Sequence, residues 1–115
     1  MKLVDKEKLN KALRFLRKKE NGGFFAKHCK NWHAESHIID QHKNQLWFDN
    51  NGFKDMKHGQ EAALFHEGDS HFAFKTLQEH GLDVRWTGDK EDVIWLTTNP
   101  KLFVCSMGVL HTRTL

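Results

Sequence analysis

A chain of 115 residues, 38% hydrophobic and 29% charged with a formal net charge of +3, holds enough apolar material for one folded domain and excludes a disordered acidic or basic tail. No apolar run approaches the ~18–20 residues of a membrane span, and the N-terminal MKLVDKEKLNKALRFLRKKE is too charged for a secretory signal. Two cysteines, Cys29 and Cys105, are too few for an export-type disulfide scaffold, so reduced thiols in a soluble, cytoplasmic protein without a membrane partner are expected. The charge is unevenly placed. Residues 1–30 carry ten Lys/Arg against Asp5, Glu7 and Glu20, while acidic residues outnumber basic ones over 31–115. Such asymmetry points the N-terminal segment toward something negative.

Residues 5–20 predict a helix. Asp5 can cap it, Leu9, Ala12, Leu13 and Leu16 follow the i, i+3, i+4, i+7 spacing of one apolar face, and Asn21-Gly22-Gly23 stops it. Lys11, Arg14 and Lys18 fall on the opposite face. GFFAKHC (23–29) fits a strand, and QLWFD (45–49) another, closed by an Asn50-Asn51-Gly52 turn. Between them, NWHAESHIIDQH fits either a strand or one to two turns of helix. From 55 to 80 the pattern predicts helix, with GQEAALFHE and SHFAFKTLQEH separated by Gly68-Asp69. Ser70 or Asp69 can cap the second of these, and Gly81 stops it.

The C-terminal third reads as β. LDVRWTG and VIWLTT flank a GDKED loop as a hairpin, and KLFVCSMGVL (101–110) fits a strand buried on both faces. No repeat or linker divides the chain, so residues 1–115 are expected to form a single domain. The order α-β-β-α-α-β-β-β predicts an α+β fold, in which the N-terminal helix and two short central helices pack on a mostly antiparallel sheet.

Nine histidines are a high count for this length. Cys29, His33 and His37 stand at i, i+4, i+8, so on a helix they form one stripe that could begin a zinc or copper/nickel site; on a strand His33, Glu35 and His37 share a face instead. No CxxC, HExxH or second ligand pair completes four ligands, so zinc is a weak expectation and no cofactor is assigned. Paired histidines beside a lysine could also cleave RNA, one taking the 2′-hydroxyl proton and the other protonating the leaving oxygen. His33, His37, His42 and His66 are the candidates, with Lys27 or Lys43 as the cation, and the spacing selects no pair. Cys29, among cations in KHCKNWH, has neighbours that favour a thiolate, whereas Cys105 lies in an apolar run.

The basic helix is the stronger functional feature. Its outer stripe of Lys11, Arg14 and Lys18 is flanked by Lys8, Arg17 and Lys19, and Phe15 projects among these cations rather than with the leucines. An aromatic within a cationic face can stack on a base or fill a partner's pocket, although charged helix faces are also often merely solvated. Three phosphate contacts would give a salt slope of only about −2.7, roughly a 40-fold loss of affinity between about 50 and 200 mM salt. A second patch (Lys27, Lys30, Lys43) or oligomerisation would be needed to strengthen that grip. The sequence therefore predicts a small non-enzymatic binding domain, an inhibitor or regulator of a larger machine. Its basic helix docks on an acidic partner, either nucleic acid or an acidic protein surface. The alternatives are a histidine-based hydrolase, most naturally a ribonuclease and optionally metal-dependent, and a structural or assembly subunit.

Overall fold

A computed structural model describes residues 5–98. Helix α1 (Asp5–Arg17) is followed by a 3-10 turn at Lys19–Asn21, strand β1 (Phe25–His28), α2 (Trp32–Asp40) and β2 (Gln45–Phe48). Then come α3 (Asn50–Lys57), β3 (Ala62–Glu67), α4 (Ser70–Glu79), β4 (Asp83–Arg85) and β5 (Ile94–Thr97). The strands form one sheet in the order β1-β2-β3-β5-β4. β1 and β2 run parallel, joined across α2, and the other three pairings are antiparallel. The class is α+β, with helices on a mostly antiparallel sheet. No helix among the described residues is long and apolar enough to cross a membrane.

Helix α1 buries the face that its spacing predicts: Leu9, Ala12, Leu13 and Leu16 are each at most 4% exposed. They join Met56 of α3 and Ala73 and Leu77 of α4 over Ala26, Leu46, Phe48, Leu64, Ile94 and Leu96 of the sheet. Gly22 ends the first helical segment at φ 105°, a left-handed conformation that side chains disfavour. On the other side of the sheet a smaller cluster gathers Phe25, Cys29 and Ile39 with Trp47, so among the described residues α2 is the helix that covers that face.

Three expectations are corrected. Asn50-Asn51-Gly52 is no hairpin turn but the first turn of α3, because Asp49 accepts a hydrogen bond from the Gly52 amide at 2.9 Å and caps a helix there. The stretch 59–67, predicted as helix, is strand β3 from Ala62 on. Its Ala and Leu favour a helix locally, but Ala62 and Leu64 enter the core while Ala63 and Phe65 face the other way, a period of two set by pairing to β2 and β5. The helix expected to span 5–20 ends at Arg17 and tightens into the 3-10 turn. The ambiguous NWHAESHIIDQH is helix α2, opened by Asn31, whose side chain accepts from the Ala34 amide at 3.2 Å. Asp69, rather than Ser70, caps α4. The element order is thus α-β-α-β-α-β-α-β-β. The strand expected at 101–110, with Cys105, lies outside the described residues.

Candidate functional site

Because α1 turns its leucines inward, Lys11 and Arg14 stand exposed on its outer surface, with Lys18 exposed just past its end. They rim a shallow groove of about 230 Å³ whose other lining residues are Phe15 and, from the end of α4, His80. Phe15 is 36% exposed, and its position is fixed by ring contacts to Phe72 at 6.3 Å and to His80 at 5.6 Å. It is therefore an edge of packed aromatics rather than a free anchor. The His80 Nδ1 lies 2.8 Å from the Thr76 carbonyl, which can only accept. In that contact Nδ1 donates and the carbonyl accepts.

Two ion pairs among the described residues, Lys27 with Glu35 at 2.9 Å and Arg85 with Glu61 at 2.5 Å, involve none of Lys11, Arg14, Lys18 or Lys19. The flanking cations behave differently. Arg17 donates from Nη1 to the Ala26 carbonyl at 2.6 Å, tying α1 to β1, and the stem of Lys8 lies against Gly81. Of the second patch, Lys27 is matched by Glu35, and its ammonium is the main reason the Glu35 carboxyl sits below its usual range.

The histidine candidates do not assemble. His33 and His37 are exposed on α2, and His42, just beyond that helix, bonds through Nδ1 to the Ile38 carbonyl at 2.9 Å. His66 is in register with Leu46, whose side chain lies in the core beneath α1 and α4, so the sheet separates His66 from α2. Both its ring nitrogens are occupied, Nε2 donating to the Asp92 carbonyl at 2.6 Å and Nδ1 accepting from the Ser70 hydroxyl at 2.6 Å. His66 is a brace between β3, α4 and the 89–92 loop. The Cys29–His33–His37 stripe is likewise broken, because the helix begins only at Trp32 and Cys29 is buried in the preceding loop. Among the described residues no three His, Cys, Asp or Glu side chains converge to hold a metal ion.

Sequence reasoning found the cationic stripe and Phe15 but missed His80 as the facing wall. The only local signal was its place in the last turn of a helix; that α4 lies beside α1 is a tertiary fact. Comparison of the chain with known protein families, curated proteins and solved structures finds no match.

Proposed function

We propose that this chain is a non-enzymatic binding domain that docks an acidic segment of a partner protein in the groove between α1 and α4. The supporting observation is a row of three exposed cations, Lys11, Arg14 and Lys18, beside a half-exposed aromatic and with no carboxylate of the same chain among the described residues paired to them. At about 1.5 Å rise per residue the three span roughly 10 Å. An acidic helix presents carboxylates at the same i, i+3, i+7 spacing, and Arg14 can grip one of them in bidentate fashion. A nucleic acid fits less well, since three phosphate contacts give only weak, salt-sensitive binding.

Fluorescence polarisation with a labelled Glu/Asp-rich peptide and with a single-stranded RNA of similar length tests the reading. Saturable peptide binding that is lost in Lys11→Glu/Arg14→Glu and weakened in Phe15→Ala is the expected result. Tighter binding to the RNA, with loss on charge reversal but indifference to Phe15, would move the assignment to nucleic acid. Peptide binding unchanged by charge reversal would remove the groove altogether.

A further inference from the structure

The chain leaves β1 toward α2 on one face of the sheet and leaves β2 toward α3 on the other. Parallel neighbours whose connections part in this way open a crevice beyond their carboxyl ends, where open α/β sheets take small ligands. A crevice of about 210 Å³ lies there, lined by Lys30, Trp32 and His33 from the first connection and Asp49, Asn50 and Asn51 from the second. A neighbouring cavity of about 270 Å³ on the α1 side shares Lys30 and adds Lys6 and His28.

We infer that this crevice binds a small planar anion of the aromatic monophosphate class, with its ring on Trp32 and its charge at Lys30. Trp32 is 41% exposed, an unusual state for the largest apolar side chain, yet it is held in place. Its ring stacks on His33 at 3.7 Å and tilts against Trp47 at 6.4 Å. Lys30 is exposed and makes no ion pair among the described residues. The carboxylate in the lining, Asp49, is engaged in capping the Gly52 amide. The two walls are also tied together: His28 Nε2 donates to Asn50 Oδ1 at 2.8 Å, and Asn50 Nδ2 donates to the Lys30 carbonyl at 3.2 Å. A site braced before binding loses less entropy when filled, and an exposed, fixed indole offers a planar ligand a face to stack on. Asn51, exposed at the rim, adds an amide for polar groups on the ring.

Titration of the isotope-labelled full chain with AMP, followed by amide NMR, tests the site, with adenosine and inorganic phosphate as separate probes. Saturable shifts centred on Lys30–His33 and Asp49–Asn51 are expected with AMP, and each half-ligand should bind at least about 10-fold more weakly. Lys30→Glu and Trp32→Ala, both at exposed positions, should each weaken AMP by about 10-fold or more while the remaining spectrum stays folded. Absence of saturable shifts, or AMP affinity unchanged in Lys30→Glu, would overturn the assignment. Lys11→Glu/Arg14→Glu separates this site from the acidic-partner groove: crevice shifts should survive it. AMP shifts that map to the groove and vanish in that variant would sink the crevice without touching the docking proposal.

Discussion

Cys29 stands in KHCKNWH among cations that, read locally, favour a thiolate. In the fold its side chain is fully buried and its thiol donates to Glu35 Oε2 at 3.4 Å. Burial first, and then that hydrogen bond and the carboxylate's charge, push the thiol up from an ordinary 9.0 to about 11. The nearest cation, Lys27, is matched by the same carboxylate. Iodoacetamide at pH 8 should therefore leave the Cys29 peptide unmodified in native protein and label it rapidly in urea, as read by mass spectrometry. The raised value also has a stability consequence. Between pH 9 and 11 the unfolded chain has lost the thiol proton while the folded chain keeps it, so stability falls as pH rises through that window. Urea midpoints should drop more steeply there for the natural chain than for Cys29→Ala. Thr76 is a different case. Its hydroxyl is buried without a hydrogen-bond partner among the described residues, a cost of about 1–3 kcal/mol that an isosteric methyl removes. Thr76→Val should raise the melting temperature.

At the scale of elements, the sequence was legible where a periodic pattern had its own stop signals. The 3-10 turn that follows α1 ends at Gly22, α4 ends before Gly81 at φ 84°, and the β4–β5 hairpin alternates on either side of a polar loop. It was illegible where partners elsewhere decide. Ala62–Glu67 is a strand because β2 and β5 flank it, and Asn50–Lys57 is a helix because Asp49 caps a stretch whose residues otherwise suit a turn. The turns are also fastened to each other through Asn44, which no pattern could reveal. Its Nδ2 donates to the Gly22 carbonyl at 2.9 Å and its Oδ1 accepts from the Asp69 amide at 2.9 Å. Gly68, at φ +80°, lies flush beneath it, where a Cβ would overlap Asn44 Oδ1 and come within 2.5 Å of the Lys43 carbonyl oxygen. Asn44→Ala should cost about 1–3 kcal/mol in chemical denaturation by stranding these groups. Gly68→Ala should cost more than a surface substitution ordinarily does, since it adds a clash to an unfavourable dihedral.

For the whole molecule, the uneven charge noted in the sequence becomes a spatial arrangement: Lys11 and Arg14 of α1 and Lys18 just past its end face outward while the leucines bind the helix into the core. The stripe itself was readable from spacing. The groove was not, because it needs α4 alongside. Leu13 belongs to the cluster shared by α1, α3, α4 and the sheet, so Leu13→Ala should lower global stability by about 2–5 kcal/mol in one cooperative transition rather than fraying α1 alone. The outer strands of the sheet have a further consequence. Among the described residues these are β1, four residues long, and β4, three residues long, and they carry Lys27 and Arg85 respectively, each held by a carboxylate. A strand from another molecule seeking to extend the sheet would have to displace or bury that fixed charge along a very short ladder. The architecture thus guards against fibril growth at both margins, and Lys27→Val/Arg85→Val is the double substitution expected to expose it, as increased thioflavin-positive aggregation of the folded protein on storage.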